Sequence, residues 1–306
     1  MDAPAASSDT RQKRRFQLPE PRSLVLEGKC VLEYVDITPQ SSPPSGAPPR
    51  PTIVLLHGAP GTYKDFRQMI AVMQPHARVV GLNLPGFGRS RSLNRDDAYA
   101  SVTPSGTAAL VYEALTQILG KDKDVFLLGH SLGGHAAINV ASLAAQDGTL
   151  NVRGVVLLAS AGHRPHRGLW TKTSAAIANA VRAPLPVIPS AGRAFARFVF
   201  NNYVDGFPKN QSTSYYVSTV IRNHYTDFNL IKTQLQQFKQ RQVPAFVAWA
   251  KDDAMIEDAI FQELSLACHD GPRLEFETGG HNIQRVHAKV VATAIVPWMQ
   301  EILSNQ

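Results

Sequence analysis

The chain has 306 residues, of which 44% are hydrophobic and 18% are charged. This composition is typical of a globular protein with one large or two small domains. No apolar run approaches the ~18 residues that a membrane span requires, so we do not expect an integral membrane protein. The two cysteines lie far apart without metal-ligand spacing. They predict no disulfide framework and no metal site, and we expect a cytoplasmic protein without a cofactor.

The first 22 residues are predicted to be a disordered tail. They are polar, and their basic run RQKRR at 11–15 is followed by no apolar segment, as a secretory signal would require. Alternation of β-branched and aromatic residues at 29–37 predicts the first strand. The segment at 39–51 is filled with Pro, Ser and Gly. It cannot form a strand, and we expect a mobile connector there.

From residue 52 onward, short apolar runs alternate with helical patterns. Continuous apolar runs are typical of strands buried on both faces of a parallel sheet. One helical pattern begins with Thr103 as a cap and Pro104 in its first turn. The alternation predicts an α/β fold with a mostly parallel, doubly wound sheet. The apolar runs are TIVLLHG (52–58), ARVVGLNLPG (77–86), DVFLLGH (124–130), VRGVVLLAS (152–160), VPAFVAWA (243–250) and PRLEFETGG (272–280).

The alternation is interrupted between residues 160 and 242. This interval has amphipathic segments but no clear strand, and it is too long for a loop, so it predicts a helical cap between two core segments at 23–159 and 243–306. It carries eleven Lys and Arg residues but only two acids, Asp205 and Asp227. Such a balance favours anionic substrates or peripheral contact with a membrane surface. We expect no nucleic-acid partner.

Ser131 is the candidate nucleophile. It is the serine of a G-x-S-x-G pattern at 129–133, placed after an apolar run and before a helical pattern. A sharp turn from strand to helix exposes the serine hydroxyl, and the flanking glycines leave room for that turn. The helix N-terminus behind the serine offers free N–H groups to an oxyanion. A serine hydroxyl is a weak nucleophile by itself, so this interpretation requires a base and an orienting acid.

An acid and a histidine follow Ser131 in the required order. Asp252 and Asp253 come directly after VPAFVAWA, and His281 follows a Gly-Gly pair after PRLEFETGG. His281 is the preferred base because it lies at a predicted strand end with a long helix behind it. An oxyanion also needs two donors. We expect the N–H groups of Ala59, in LLHGAPG, and of Leu132 to supply them.

The motifs LLHGAPG, NLPGFGRS, LLGHSLGG, AWAKDDAMI and GGHNIQ resemble, in this order, the α/β-hydrolase superfamily. They are most similar to the branch that holds epoxide hydrolases, proline iminopeptidases, carbon–carbon hydrolases and many serine esterases. The resemblance covers roughly residues 29–305 and implies a helical cap inserted after the sixth strand. It also implies Ser131 as nucleophile, His281 as base and Asp253 as acid. Asp253 is preferred because Ala250 occupies the place of a family glycine three positions before the acid.

The resemblance implies a serine hydrolase that forms an acyl-enzyme, most similar to carboxylesterases or lipases acting on a small-molecule ester of a hydrophobic acid. An alternative is a proline iminopeptidase-like enzyme acting on an amide, for which Asp205 or Asp227 would hold the substrate ammonium. A carbon–carbon bond hydrolase is also compatible with the motifs. A third possibility is a non-catalytic ligand-binding or scaffold protein that uses the same fold.

Overall fold

A computed structural model describes the protein over six stretches of chain. Residues 1–15 of the predicted tail and most of the predicted connector lie outside them. None of the described helices combines the length and hydrophobicity needed to cross a bilayer. The described stretches are residues 16–40, 50–94, 98–120, 123–185, 187–204 and 208–305.

One nine-stranded sheet organises the described residues. Its order is β1-β2-β4-β3-β6-β7-β8-β9, and β5 pairs with β2. All pairs from β4 to β9 along this order are parallel, whereas the pairs of β2 are antiparallel. The mostly parallel α/β sheet predicted from the sequence is therefore confirmed. The strands are β1 (Arg22–Leu26), β2 (Cys30–Ile37), β3 (Thr52–Leu56), β4 (Arg78–Leu82), β5 (Arg91–Ser92), β6 (Lys123–His130), β7 (Leu150–Leu158), β8 (Ala245–Ala250) and β9 (Arg273–Phe276).

Apart from the first three helices of the interval 160–242, the described helices form two groups, as expected for a sheet covered on both faces. Helix α1 contacts α9 and α10, while α2 contacts α3, α3 contacts α7, and α7 contacts α8. The predicted start of α2 is confirmed, since the Thr103 side chain accepts a hydrogen bond from the Gly106 amide and Pro104 is the first helical residue. The helices are α1 (Arg67–Met73), α2 (Pro104–Leu119), α3 (Leu132–Asp147), α4 (Thr171–Val181), α5 (Val187–Asn202), α6 (Thr213–His224), α7 (Phe228–Gln240), α8 (Asp258–Ala267), α9 (Ile283–Val286) and α10 (Ala288–Ser304).

The structure corrects the predicted extent of the N-terminal tail. The Phe16 carbonyl oxygen accepts hydrogen bonds from Arg67 Nε and Nη2 at 3.2 and 2.8 Å. Phe16 and Leu18 pack against the hydrophobic core, and Arg22 already belongs to β1. The described part of the tail therefore lies against the domain. The sequence pattern did not reveal β1 because three of its five residues are exposed at the edge of the sheet.

Among the described residues between β7 and β8 there are four α-helices, α4 to α7. The preceding strand, β7, is the sixth when the two-residue strand β5 is left out. Helices α4, α5 and α6 share a small hydrophobic cluster of their own, which includes Ile177 and Ile221. Helix α7 differs, because Ile231, Leu235 and Phe238 belong to the main core. Packing thus separates α4–α6 from α7. The assignment of residues 160–242 to a cap, with core segments on both sides, stays a prediction.

We expect matched truncations in α7 and α4 to have different effects. Leu235 and Ile177 are both 1% exposed, but they belong to the main core and to the second cluster respectively. Leu235→Ala should lower the free energy of global unfolding by about 3 kcal/mol in urea titrations. Ile177→Ala should mainly lower hydrogen-exchange protection in α4–α6. Equal loss of protection in β7 and β8 for the two variants would contradict this division.

Candidate active site

Ser131 lies at the turn between β6 and α3. Its backbone has φ 54° and ψ −127°, a conformation that side-chain-bearing residues rarely adopt. Three backbone hydrogen bonds hold it there. The Ser131 amide donates to the Leu158 carbonyl at 3.0 Å, and the Ser131 carbonyl accepts from the amides of Gly134 and Ala161. The strained residue is therefore fixed by β7 and by the first turn of α3.

The backbone around this turn is closely packed. A Cβ atom at Gly133 would lie 2.1 Å from the Leu56 carbonyl oxygen, so no other residue fits there without a backbone shift. A Cβ atom at Gly58 would lie 3.0 Å from the Ser131 Cβ. The loop after β3, which carries Ala59, therefore passes directly beside Ser131.

Three side chains from three strand ends form one hydrogen-bonded chain. Ser131 Oγ lies 2.9 Å from His281 Nε2, and His281 Nδ1 lies 2.7 Å from Asp253 Oδ2. A carboxylate oxygen accepts, so the hydrogen-bond network places a proton on Nδ1 and leaves Nε2 to accept from the serine hydroxyl. The structure thus brings together the serine, the histidine and one of the two aspartates selected from the sequence.

Asp253 is almost fully buried. Its second oxygen, Oδ1, accepts from the amides of Met255 and Ile256 at 2.7 and 3.0 Å. Burial alone would raise the pKa of the Asp253 carboxyl, but the hydrogen bonds from His281 and from the two amides hold that pKa below its usual value. The side chain that faces the His281 ring is therefore a carboxylate at neutral pH.

Asp252 has a different set of partners. It is exposed, and its two oxygens accept from the amides of Gly279 and Gly280 at 3.2 and 2.7 Å. These glycines directly precede His281. Asp252 therefore supports the loop that carries the histidine, whereas Asp253 contacts the histidine ring. The residue pattern alone did not show which of the two adjacent acids contacts the histidine, although the family resemblance favoured Asp253.

His130, which directly precedes the nucleophile in the chain, supports the same loop. Its Nε2–H donates to the His281 carbonyl oxygen at 2.8 Å. Burial, together with the neighbouring His281 ring, lowers the pKa of His130 to about 3. The His130 side chain is thus a neutral structural donor, and it fixes the position of the His281 backbone.

The loop that carries Ala59 is anchored by His57. His57 Nε2 accepts from the Leu84 amide at 2.9 Å, so the ring proton lies on Nδ1, which donates to the Gly58 carbonyl at 2.6 Å. Burial lowers the pKa of His57 to about 4.

Leu132 follows Ser131 and begins α3. The N–H of a first helical residue has no acceptor within its helix.

Ser131 and His281 line a cavity of about 740 Å³. The residues around helices α4–α6 contribute the aromatic side chains of Trp170, Tyr203 and Tyr215 to its wall. The wall also carries charged groups of both signs. Among these, Arg285 forms an ion pair with Asp65, which also accepts from the Thr62 amide. The charged side chains of the wall are Asp65, Arg167, Asp252 and Arg285.

Arg222 of α6 is a residue whose role the sequence did not reveal. It is 2% exposed, and its Nη2 donates to the Leu132 carbonyl oxygen at 3.3 Å. Nη1 has no partner among the described residues, and none of the described carboxylates forms an ion pair with Arg222. Burial lowers the pKa of the guanidinium to about 10, so it remains a cation at neutral pH. The cap thus places one buried positive charge against the first turn of α3.

No group of three or more His, Cys, Asp or Glu side chains within the described ranges could hold a metal ion.

We expect the folded state to become less stable as the pH falls, because buried histidines bind protons less readily than histidines of the unfolded chain. Burial lowers the pKa of His57 and His135 to about 4, whereas an unfolded histidine titrates near 6.5. The unfolded chain binds more protons between these values, so stability is complete above pH ~6.5 and is lost as the pH falls towards 4. At about pH 5 the loss is about 2 kcal/mol for each such histidine.

This loss can be measured by urea unfolding at neutral pH and at about pH 5. His135→Gln should reduce the difference by about 2 kcal/mol, because one titrating group is removed. The His135 ring donates to the Gly162 carbonyl, and the glutamine amide can keep a donor there. If the variant loses as much unfolding free energy between neutral pH and pH 5 as the wild type, His135 does not contribute to the pH dependence of stability.

Residues 24–289 match the family described as "Alpha/beta hydrolase of unknown function (DUF1057)". Among individual relatives, the uncharacterised hydrolase YugF of Bacillus subtilis (strain 168) is 23% identical over 269 residues, which are 83% of this chain and 91% of YugF. The uncharacterised protein F35H12.5 of Caenorhabditis elegans is 29% identical over 147 residues. These residues are 47% of this chain and 39% of the nematode protein.

Solved structures share the fold. A thermophilic esterase from Thermogutta terrifontis has a TM-score of 0.66 and 15% identity, covering 93% of this chain and 99% of its own. The haloalkane dehalogenase DbeA from Bradyrhizobium elkani USDA94 has a TM-score of 0.65 and 17% identity, covering 94% and 99%. Identities this low show the fold alone. Since the family model spans most of the chain, this protein belongs to the α/β-hydrolase family DUF1057.

Proposed function

We propose that this protein is a serine hydrolase with Ser131 as nucleophile, His281 as general base and Asp253 as the orienting acid. The observation that carries this proposal is the hydrogen-bonded chain from Ser131 Oγ through His281 to Asp253, located beside a large cavity. A base within hydrogen-bond distance of a serine, oriented by a third group, is the arrangement that nucleophilic catalysis requires.

The chemistry follows from the proton positions. His281 Nε2 accepts the hydroxyl proton as Ser131 Oγ attacks a substrate carbonyl carbon. The resulting imidazolium is stabilised by the Asp253 carboxylate. The proton then passes to the leaving group, the carbon–leaving-group bond breaks and an acyl-enzyme remains. Water, deprotonated by His281, attacks the acyl carbon and releases the acid.

The negative charge on the carbonyl oxygen requires donors that are already in place. We assign this role to the N–H groups of Ala59 and Leu132. Leu132 is at the N-terminus of α3, where the helix dipole also favours negative charge, and the Ala59 loop passes beside Ser131. Loss of one such donor costs about 3 kcal/mol of transition-state stabilisation.

The cavity favours an ester of a hydrophobic acid as the substrate class. Aromatic side chains of the cap region, Trp170, Tyr203 and Tyr215, line the same cavity as Ser131. Apolar walls with a few placed polar groups are typical of sites for small organic ligands. The esterase from Thermogutta terrifontis shares this fold.

An iminopeptidase-like activity has less support. It would require a carboxylate in the cap to hold a substrate ammonium group. Asp205 lies outside the described residues, and the Asp227 carboxylate caps α7 by accepting from the Leu230 amide. The described geometry therefore does not favour this alternative. A purely binding protein is also less supported, because such a protein has no need for an aligned Ser-His-Asp chain.

Ser131→Ala should abolish covalent labelling by a fluorophosphonate probe and lower kcat on a p-nitrophenyl ester by at least about 1,000-fold, because the nucleophile is lost. Mass spectrometry of the labelled wild-type protein should locate the adduct on Ser131. Ser142→Ala is a matched control, since it removes another buried serine hydroxyl of the α3 region. Folded wild-type protein without an adduct at Ser131 would exclude this mechanism.

Asp253→Asn should reduce kcat on the same ester by about 10,000-fold, because an amide cannot stabilise the imidazolium and disturbs the histidine tautomer. Asp252→Asn should reduce kcat less than about ten-fold, since its amide oxygen still accepts from the Gly280 amide. Circular dichroism would check that both variants fold. The opposite ranking would transfer the role of the acid to Asp252.

A further inference from the structure

Helix α5 of the cap exposes an apolar stripe to solvent. Its inner face, which includes Ala196 and Phe200, packs in the second hydrophobic cluster. The outer face carries large apolar side chains at a spacing that places them on one side of a helix. Exposed apolar surface of this kind on a globular protein indicates an interaction site. The exposed residues are Val187 (75%), Ile188 (39%), Phe195 (49%) and Phe198 (50%).

The stripe continues to the cavity that contains Ser131. The ring of Phe198 contacts the ring of Tyr203 edge to face, with centroids 5.6 Å apart. Tyr203 is itself exposed and lines the cavity. Trp170 is also both exposed and part of the cavity wall. The outer face of α5 is therefore linked through Phe198 and Tyr203 to the rim of the candidate active site.

Positive charge accompanies the stripe. Arg193 and Arg197 lie one helical turn apart on α5, and neighbouring α4 contributes Lys172. Between Thr171 and Asn202, which includes both helices, the chain contains four basic residues and no acid. An apolar helical stripe on a segment of one charge sign has the character of a helix that lies in the interface of an anionic membrane.

We propose that this surface docks the protein onto an anionic lipid membrane. The docking face consists of Val187, Ile188, Phe195 and Phe198. Arg197 lies at one edge of the exposed side of the helix, and half-buried Arg193 lies farther round towards the core. The aromatic and aliphatic side chains would enter the acyl-chain boundary, and the arginines would pair with lipid phosphates and carboxylates. A protein partner would need a shaped surface, whereas a bilayer needs only the combination of apolar stripe and positive charge that α5 offers.

Docking would place the cavity rim at the membrane surface. A lipid-like ester could then pass along Tyr203 into the cavity without crossing water. This last consequence depends on the proposed hydrolase function, whereas the docking itself does not.

Vesicle co-sedimentation of the full chain tests the proposal. Vesicles of equal parts phosphatidylcholine and phosphatidylserine should sediment the wild-type protein, and vesicles of phosphatidylcholine alone should do so much less. Phe195→Ser with Phe198→Ser should lower the partition constant about ten-fold or more. Arg193→Gln with Arg197→Gln should lower it about five-fold for each charge removed, on the mixed vesicles only.

Val290→Ser with Lys289→Gln is the matched control, because it changes one exposed apolar and one exposed basic residue on α10. Its partition constant should equal that of the wild type, and thermal melting should show that all variants fold. Ser131→Ala should sediment like the wild type, so docking and hydrolysis are tested separately.

Equal partitioning of the phenylalanine variant and the wild type would overturn the proposal. So would a wild type that does not sediment, or a phenylalanine variant altered only in its elution on size exclusion, which would indicate self-association.

Discussion

The carboxyl ends of parallel strands meet at one edge of a sheet, and the candidate site depends on this constraint. Ser131 follows β6, Asp253 follows β8 and His281 follows β9. Serine and histidine are 150 positions apart in the chain, and only the order β6-β7-β8-β9 brings their side chains within hydrogen-bond distance. Few residues separate each side chain from the end of its strand, so strand pairing largely sets the positions of these side chains.

Around the three side chains, the structure uses neutral groups and backbone hydrogen bonds to keep the geometry fixed. His57 and His130 are buried and uncharged, and each donates to a backbone carbonyl of a loop beside Ser131. Asp252 accepts from the amides that precede His281. Because His57 and His130 are neutral, they support these loops without adding a charge close to Asp253 and the N-terminus of α3.

The sequence was sufficient to predict the parallel sheet, the turn at Ser131 and the order of acid and histidine. These features depend on local patterns, namely apolar runs, glycines and residues that follow strands. The pattern did not reveal β1, because an exposed edge strand has little hydrophobic periodicity to detect. Local pattern alone also did not separate Asp252 from Asp253, since adjacent residues differ only in which way their side chains point, and the preference for Asp253 came from the family resemblance. The contact of Arg222 with α3 depends on how the cap folds over the core, and no local pattern encodes it.

The contact between Arg222 and the Leu132 carbonyl connects the cap to the first turn of α3, in addition to the cavity that the cap lines. Leu132 carries a proposed oxyanion donor on its nitrogen and accepts from the cap on its oxygen, so the first turn of α3 is shared between core and cap. A chimera that keeps this core but takes its cap from another hydrolase would lose the buried cation together with the substrate pocket. Under the proposed mechanism, a transplanted cap would therefore change the turnover of the core as well as its substrate preference. The residues proposed to select a substrate and those proposed to process it share this contact.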